Sequence, residues 1–555
     1  MPYSETDMSD LHQRINDKLK QDFESLKLHG FCIQDMKKAI RRIKPGKADG
    51  NMGLNSDCIA NGTDKLFVLL TLFFRIILVH GFVPDELLLG TMSPIPKSKC
   101  QQSSDNYRAI TLISAILKLF DYNILMKYEK ELQTDALQMG FKEHCSTTLC
   151  STMVVETARI FNSNGSKVYS VLLDATKAFD RIEFSRLFNI LLDRQLNSVY
   201  VRCLLYMYTS QRLRIHWNGV YSNVFYVMNG VKQGGVLSPV LFGLYLDKLI
   251  TAVQQSGFGC YVGPHFVGCL AYADDVVLMS PTKAGLRKML KVCSVFAMEY
   301  KLKFNGTKSQ YIVFESKVST CDDTIQVFDI DLKNQDSVIH LGHRIFAATG
   351  RNDIDGIIAA FYKQFNWFRS KFANIASNVQ ARLFQTHCSS FYGVVLQHLD
   401  RLQKIHVVWR KSLRQVWKLP FRTHCAVVRC LSKGLCERHM FLSRFAGFAY
   451  NALNHASPVI SYVMNNAMEA NLSPFRQNVQ ICCRELKIAH ELFKNQPNGA
   501  FKRAFYKQCN DQCKSLEDRL RAKTVIELSD MNDGLLCSIL NYNERLLILN
   551  ELCTN

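Results

Sequence analysis

Two adjacent aspartates, Asp274 and Asp275, are the residues of this sequence best suited to chemistry. Apolar runs at 266–270 and 276–279 flank the pair, and this pattern predicts a β-hairpin with both carboxylates at its tip. Neighbouring side chains on a strand point to opposite faces, so the two acids meet at one site only if they lie at the turn. Because two carboxylates there would repel each other, we predict that the tip binds a divalent metal ion, Mg²⁺ in a cell.

A third carboxylate, Asp174, follows a predicted strand about a hundred residues earlier. Residues 168–173 are apolar and β-branched, which is typical of a buried strand, and a helix is predicted to begin shortly after Phe179. Active sites of sheet proteins commonly lie at the ends of buried strands, although a helix N-cap is the alternative interpretation of this aspartate.

Cationic and glycine-rich segments accompany the acids. Lys97 and Arg108 flank a polar loop, where they could grip a triphosphate or simply lie in solvent. The turn at 230–235 precedes a helix predicted to begin at Ser238; glycine allows a substrate close to the backbone, and a helix N-terminus favours phosphate. The candidate residues of these segments are Lys97, Arg108, Gln233, Gly234 and, further downstream, Lys308.

Three carboxylates, a glycine-rich turn, two upstream cations and a downstream lysine match the requirements of two-metal phosphoryl transfer. One metal ion lowers the pKa of an attacking hydroxyl, and the second neutralises the pyrophosphate that leaves. A nuclease uses the same metals but needs neither a triphosphate grip nor the bulky Phe179. The residues therefore favour a polymerase that uses two Mg²⁺ ions.

Other patterns predict the elements around these residues. The Asn-Gly pair at 218–219 lies between predicted strands at 212–217 and 221–227, and such a pair is a strong hairpin signal. A helix is predicted over 282–300, and a strand over 311–314 after Lys308.

The composition indicates a polyanionic partner. The 555 residues include 68 Lys+Arg and 48 Asp+Glu, a formal charge of +20, which suits nucleic acid or an anionic membrane surface. The longest apolar run, 66–79, is too short to span a membrane and predicts a buried helix. No secretory signal is recognisable, so the 20 cysteines are expected to be reduced thiols without disulfide partners, in the cytoplasm or nucleus.

The positive charge is concentrated at 401–450, where eleven Lys+Arg accompany one acid, Glu437. A predicted helix there has an apolar stripe, and basic residues recur every fourth position beside it. We predict that these residues contact nucleic-acid phosphates, with a solvated basic face as the alternative. They are Arg410, Arg414 and Lys418.

In their order and spacing, the motifs between about 44 and 343 resemble those of the reverse transcriptases of non-long-terminal-repeat (LINE-type) retrotransposons. The endonuclease usually joined to these enzymes has no counterpart in this sequence, and Gly50-Asn51-Met52-Gly53 stands where the family usually has Gly-x-Asp-Gly. The matching residues are Pro94 to Lys97, Tyr107-Arg108, Asp174 with Phe179, Gln233 to Gly235 with Ser238-Pro239, Tyr272 to Asp275, Asn305 with Lys308, and Leu341-Gly342.

The resemblance implies a role for each candidate residue. Asp174 and Asp274 would bind the metals, with Asp275 as an accessory acid. Lys97 and Arg108 would hold the triphosphate of the incoming dNTP. The remaining roles are nucleotide and template contact for Gln233, protonation of pyrophosphate for Lys308, and exclusion of a 2′-hydroxyl for Phe179.

The fold that the resemblance implies is an α+β right-hand polymerase with an antiparallel palm sheet. Its expected function is RNA-directed DNA synthesis from a DNA primer on an RNA template. A decayed product that only binds nucleic acid is the alternative, whereas Phe179 argues against an RNA-dependent RNA polymerase. The expected divisions are a linker at 1–33, fingers at 34–170, palm at 171–346 (reverse transcriptase domain from about 80), thumb at 347–400 and a basic helical region at 401–555.

Overall fold

The protein has an α+β fold in which helices surround two larger β-sheets and three separate hairpins. The loop with Met52 lies outside the residues that the structure describes. The computed structural model describes residues 5–47, 49, 53–97, 103–315, 323–348, 350–423, 428, 437–493, 501, 503–505, 507–508 and 511.

The structure contains the elements predicted around the candidate residues and many others that the sequence patterns did not single out. The helices are α1 (Glu5–His29), α2 (Ile33–Arg42), α3 (Ser56–Ala60), α4 (Asp64–His80), α5 (Asp85–Leu88), α6 (Ala115–Lys127), α7 (Thr147–Ser163), α8 (Phe184–Asp193), α9 (Ser198–Thr209), α10 (Ser238–Gln255), α11 (Lys283–Glu299), α12 (Ile354–Phe372), α13 (Ser377–Cys388), α14 (Gln403–Val416), α15 (Glu437–Leu453), α16 (Pro458–Ala467) and α17 (Pro474–Leu486). The strands are β1 (Leu89–Pro96), β2 (Tyr107–Leu112), β3 (Val168–Asp174), β4 (Arg212–Trp217), β5 (Val220–Tyr221), β6 (Phe225–Tyr226), β7 (Tyr261–Val262), β8 (His265–Phe266), β9 (Cys269–Tyr272), β10 (Asp275–Ser280), β11 (Gln310–Phe314), β12 (Thr324–Val327), β13 (Ile330–Lys333), β14 (Ser337–His340) and β15 (His343–Phe346).

The central sheet has four antiparallel strands in the order β11-β3-β10-β9. Its two middle strands, β3 and β10, are almost wholly apolar, and α7, α10 and α11 pack around the sheet. Strands buried on both faces read as continuous apolar runs, which is why the sequence predicts them clearly. The predicted antiparallel sheet is confirmed.

The second sheet joins two distant parts of the chain. Strands β1 and β2 form an antiparallel hairpin, and β4 adds parallel to β1, with β5 and β6 paired to β4. The predicted Asn-Gly hairpin is confirmed, because Asn218 and Gly219 have φ angles of 47° and 82°. The predicted strand at 221–227 is instead two short strands, β5 and β6, separated by residues 222–224.

The first 33 residues are not a linker over the part described, because α1 is a continuous helix packed against α8 and α9. Met8, Leu11 and Ile15 are buried, at the three- and four-residue spacing of one helix face. Polar residues between them hide this weak periodicity in the sequence.

Helix α4 differs in part from its prediction as a buried helix. Leu70 and Phe74 are buried, but Leu69 and Ile76 on the opposite side are 63% and 53% exposed. No helix among the described residues is long and apolar enough to cross a membrane.

Helices α12, α13 and α14 form one bundle around aromatic side chains. The Trp409 ring of α14 lies 4.7 Å from Phe384 of α13 and 6.5 Å from Phe361 of α12. The predicted apolar stripe of α14 is confirmed as buried. A thumb ending at residue 400 would therefore divide this bundle.

Candidate active site

The predicted hairpin is confirmed, and its turn carries Asp274. Ala273 has a left-handed φ of 56°, and Asp275 is the first residue of β10, paired with Tyr272 of β9. On the other side of β10, Asp275 lies directly opposite Asp174, the last residue of β3. Side chains of directly opposed residues project from the same face of a sheet. The register therefore places Asp174 and Asp275 side by side, with Asp274 at the adjoining turn.

The acids interact unfavourably with one another. Burial, followed by the charges of Asp274 and Asp174, raises the pKa of Asp275 to about 6. Burial also raises the pKa of Asp274, and the charge of Asp174 adds to the effect, while Arg108 and Lys97 act in the opposite direction. A compensating positive charge at this turn would remove the repulsion.

The donor set fits a hard divalent cation. It consists of carboxylate oxygens alone, which Mg²⁺ prefers, and Mg²⁺ typically takes one or two protein carboxylates together with water and substrate phosphates. Within the described residues, no group of three or more His, Cys, Asp or Glu side chains is arranged to hold a metal ion by itself.

A buried glutamine that the sequence patterns did not reveal holds the turn. The Gln138 side-chain oxygen accepts hydrogen bonds from the backbone N–H of Ala273 at 3.1 Å and of Gly140 at 3.0 Å, and its Nε2 donates to the Ala273 carbonyl at 3.4 Å. The Met139 N–H also donates to the Ala271 carbonyl at 2.7 Å. The segment 137–140 thus runs beside β9 and fixes both backbone groups of the left-handed Ala273.

The close packing at this point explains Gly140. A Cβ atom at this position would lie 2.3 Å from the Ala273 nitrogen, which is impossible without a shift of the turn. Gln138 and Ala273 are 135 residues apart, so no local pattern connects them. The sequence shows only a glycine two residues after a glutamine, and the burial of that glutamine is known from the structure alone.

Lys308 lies on a loop attached to the end of β3. The Asn305 N–H donates to the Asp174 carbonyl at 2.7 Å, and the Asp174 N–H donates to Ser309 Oγ at 3.4 Å. The Lys308 side chain is exposed next to this attachment. The structure therefore brings the loop of Lys308 to Asp174, and Ser309 is a further residue that the sequence did not single out.

Lys97 and Arg108 lie close together on the β1–β2 hairpin. Arg108 is opposite Ile95 in the strand register, and the Lys97 N–H donates to the Asn106 carbonyl at 2.7 Å. Both side chains are exposed, and both charges act on Asp274. The two predicted cations thus belong to the second sheet and act electrostatically on Asp274 of the central sheet.

The glycine-rich turn is attached to the second sheet. The Thr111 N–H of β2 donates to the Gln233 carbonyl at 2.7 Å. Gly234 has a φ of 125°, and a Cβ atom there would lie 2.5 Å from the Thr111 carbonyl oxygen. Only glycine allows this approach, so Gly234 has a structural reason to be glycine in addition to any contact with nucleotide.

Phe179 belongs to an aromatic stack beside this turn. Its ring lies parallel to Phe242 at a centroid distance of 4.4 Å and edge-on to Phe141 at 6.1 Å. The Val231 N–H donates to the Phe179 carbonyl at 2.8 Å. The stack holds the ring in one orientation, as a steric contact with substrate requires.

The basic residues of α14 have different environments. Arg410 Nε lies 3.5 Å from a carboxylate oxygen of the buried Glu437 and donates to the His406 carbonyl at 3.2 Å. Arg414 Nε donates to the Thr423 carbonyl at 2.9 Å. Lys418 lies beyond the helix end and is exposed. Internal contacts therefore occupy the two arginines, while the lysine faces solvent.

A family model described as reverse transcriptase (RNA-dependent DNA polymerase) matches residues 95–345, a range that contains all the acids of the turn and both cations. The chain contains a reverse transcriptase domain. The expected right-hand polymerase fold is thereby confirmed. The resemblance to retrotransposon enzymes is confirmed by individual relatives as well.

Three relatives illustrate that similarity. The chain is 27% identical over 42% of its length to a retrovirus-related Pol polyprotein from the type-2 retrotransposable element R2DM of Drosophila melanogaster, and 26% identical over 52% to one from element R2 of Popillia japonica. It is 21% identical over 74% to an RNA-directed DNA polymerase from the mobile element jockey of Drosophila melanogaster. These alignments cover 22%, 40% and 46% of the relatives, so the chain spans less than half of each.

A solved structure of apo telomerase from Candida tropicalis aligns with 51% of this chain and 60% of its own. The TM-score is 0.32 and the identity 12%, values too low to support a detailed comparison.

Proposed function

We propose that this protein is an RNA-directed DNA polymerase of a non-long-terminal-repeat retrotransposon, which extends a DNA primer on an RNA template with dNTPs. The observation that supports this proposal most strongly is the β3–β10 register, which puts Asp174 beside Asp275 and next to Asp274 at the turn. The exposed cations of the β1–β2 hairpin act electrostatically on this turn.

The acids and the cations have different roles in binding the substrate. Asp174 and Asp274 bind Mg²⁺, with Asp275 as an accessory acid. Lys97 and Arg108 hold the negative charge of the triphosphate. When bound, two Mg²⁺ ions lower the pKa of the primer 3′-hydroxyl and neutralise the developing charge on pyrophosphate. The positive charges of Lys97 and Arg108 act on Asp274, which supports their assignment to the same site as the acids.

The remaining residues control the nucleotide and the product. Phe179, held by its stack with Phe242, excludes a 2′-hydroxyl from the sugar site. Gln233 and Gly234 lie beside the incoming nucleotide and the template base. Lys308, on the loop attached to Asp174, supplies a proton to the pyrophosphate that leaves.

The functional divisions follow the packing. The fingers include the second sheet. Because β1 and β2 precede β3 in the chain and β4 to β6 follow it, the fingers consist of two separate segments of the sequence. Palm includes the central sheet. The thumb includes α12, α13 and α14 and extends to about residue 416, and the basic region begins after it. Lys418 is its first candidate phosphate contact.

Primer extension on an RNA template tests the proposal. Wild-type protein with Mg²⁺ and dNTPs should extend the primer, whereas rNTPs should be poor substrates. Binding of the template and primer without any extension, under conditions in which the protein is folded, would instead identify a decayed product that only binds nucleic acid.

A further inference from the structure

The turn between β14 and β15 contains a leucine in a strained conformation. Leu341 has a φ of 50° and Gly342 a φ of 80°, so both residues of this two-residue turn are left-handed. Such a turn matches the twist of a hairpin, but leucine adopts the left-handed region at a cost that glycine avoids. A strained residue persists only where its surroundings hold it, and such residues cluster at functional sites.

One tyrosine, Tyr392, connects this turn to the start of α7. Its hydroxyl donates to the Leu341 carbonyl at 2.7 Å and lies 2.9 Å from the Thr147 hydroxyl. Its ring lies parallel to the His343 ring at a centroid distance of 4.3 Å. A Cβ atom at Gly342 would lie 3.3 Å from the Tyr392 ring, which is a tight contact. Tyr392 therefore holds both the backbone of the turn and the side chain that follows it.

The β14–β15 hairpin is attached to the face of the central sheet from which Asp174 projects. The Gln310 Oε1 accepts a hydrogen bond from the Ile339 N–H of β14 at 3.0 Å, and its Nε2 donates to the Ile339 carbonyl at 3.5 Å. In the strand register, Gln310 lies opposite Leu172, and Asp174 is two residues further along β3. Side chains two residues apart on a strand share a face, so Gln310 and Asp174 project from the same side. The hairpin is therefore attached on the side of the sheet that carries the acids.

The neighbours of Tyr392 connect it to the bundle of α12, α13 and α14. Phe391 is buried, and its ring lies parallel to Phe361 of α12 at a centroid distance of 4.8 Å. On the other side, Gly393 has a φ of 85°, and a Cβ atom there would lie 3.1 Å from the His343 Nδ1. The segment 391–393 is therefore closely packed between the bundle and the β14–β15 hairpin.

We infer that Tyr392 is a positioning residue for the polymerase reaction, which connects the thumb bundle to the β14–β15 turn and thereby fixes the place of the primer 3′ end beside the acids. This inference rests on the proposed function, under which the primer end must reach Asp174 and Asp274. Tyr392 acts through the turn and not by contact with the reacting atoms. Its hydrogen bond holds the strained Leu341 in place before the primer arrives, and such preorganisation lowers the cost of aligning the reacting groups.

Removal of the hydroxyl alone tests the inference. Tyr392→Phe keeps the ring and its stack with His343 but loses the hydrogen bond to the Leu341 carbonyl. We expect kcat for primer extension to fall roughly 5- to 50-fold, as small misplacements of reacting groups do, with unchanged KM for dNTP and unchanged affinity for primer–template. The preference for a paired over a mismatched primer 3′ end should also fall, because only a paired end gains from a fixed position. A loss of stability alone would not change that preference.

Hydrogen exchange follows the turn without catalysis. Backbone amides of residues 339–344 should exchange faster in Tyr392→Phe than in wild type, because local opening becomes easier. Tyr462→Phe is the matched control on another hairpin, β7–β8. The Tyr462 ring lies 4.8 Å from the His265 ring, and a Cβ atom at Gly263 would lie 2.3 Å from its hydroxyl. This variant should leave kcat, the mismatch preference and the exchange of 339–344 unchanged.

Two further variants identify which part of Tyr392 acts. Thr147→Val removes the second hydroxyl at the contact, and its combination with Tyr392→Phe should lose little more kcat than Tyr392→Phe alone, because the two hydroxyls act together. Tyr392→Leu also removes the ring stacked on His343 and should lower kcat further. Circular dichroism melting of every variant identifies any loss of folding.

Three results would overturn the inference. The first is a wild-type kcat and mismatch preference in Tyr392→Phe. The second is full activity of Tyr392→Phe with weaker primer–template binding by Tyr392→Leu, which would identify the ring, 50% exposed, as a direct contact with nucleic acid. The third is an equal loss of kcat in Tyr462→Phe, which would show an effect of general stability. If wild type extends no primer, the proposed function is wrong, and faster exchange of 339–344 in Tyr392→Phe would still show that Tyr392 holds the turn.

Discussion

The turn with Asp274 and helix α14 both carry charged residues for which the sequence predicts a function, but these residues have different surroundings in the two regions. Burial and the charges of neighbouring acids raise the pKa of Asp274 and of Asp275, and the cations Arg108 and Lys97 offset this only in part at Asp274. Arg410 and Arg414 of α14 instead contact a buried carboxylate and backbone carbonyls of the protein itself. Unbalanced charge in a cleft indicates a missing ligand, whereas balanced charge indicates a structural role.

Removal of a turn carboxylate should have the largest effect on synthesis. We expect Asp174→Asn and Asp274→Asn to lower Mg²⁺-dependent primer extension by at least about 100-fold, because a metal ligand is lost. Template binding should remain nearly unchanged. Asp331→Asn, an exposed acid on β13, is the control and should retain activity. Extension by either variant above a few per cent of wild type, on the scale expected for metal ligands, would contradict the assignment.

Loss of the Gln138 hydrogen bonds that hold the turn should lower the rate of synthesis almost as much. Gln138→Met keeps the size of the side chain but removes its hydrogen bonds to Ala273, so Asp274 should be displaced. We expect kcat to fall roughly 10- to 100-fold, as small misplacements of reacting groups do, with little change in template affinity or in KM for dNTP.

A second glutamine provides the control for that substitution. Gln380→Met removes another buried side chain that donates to backbone carbonyls, in α13, and should lower stability without the same loss of kcat. Equal losses of kcat in the two variants would show that Gln138 acts only through general stability.

Nucleotide selection should depend on the Phe179 ring. Phe179→Val removes the proposed clash with a 2′-hydroxyl, and the ratio of rNTP to dNTP incorporation should rise by about 10-fold or more. Phe179→Tyr keeps the ring and its stack with Phe242, so its ratio should stay near that of wild type. Competition between labelled nucleotides measures the ratio directly, and an unchanged value for valine would exclude the role.

The smallest effects should distinguish Arg410 of α14 from Lys418, which follows the end of that helix. Arg410→Gln removes a positive charge 3.5 Å from the buried Glu437 carboxylate and should lower the free energy of unfolding by about 1–3 kcal/mol. Lys418→Gln should leave stability unchanged but reduce the slope of log affinity for template against log salt by about 0.7–0.9, the value for one lost phosphate contact. Denaturant melts and salt titrations of both variants test this difference. If Arg410→Gln reduced the salt slope and left stability unchanged, the result would support the predicted contact of Arg410 with nucleic acid.

The comparison also explains which parts of the site the sequence could predict. Apolar strands around Asp274 and the helix stripe with Trp409 are local patterns, and both are confirmed. A local pattern does not show which residues from distant parts of the chain contact a given side chain. Glu437 reaches Arg410 from the next described helix, and Gln138 reaches Ala273 across 135 residues.

The same limit applies to whole elements. The helical face of α1 is interrupted by polar residues, so its burial depends on α8 and α9 and not on a strong pattern of its own. In the second sheet, the pairing of β1 with β4 unites segments on either side of β3, which no contiguous division of the sequence could represent.

This pairing of β1 with β4 also affects how the protein is made. A ribosome completes β1 and β2 at Leu112 and does not begin β4 until Arg212, and until β4 emerges one edge of β1 has unpaired backbone groups. Exposed strand edges are sites of aggregation during folding. The nascent chain must therefore keep this edge shielded while β3, α8 and α9 are being synthesised, and premature termination between β2 and β4 would release a fragment prone to aggregation.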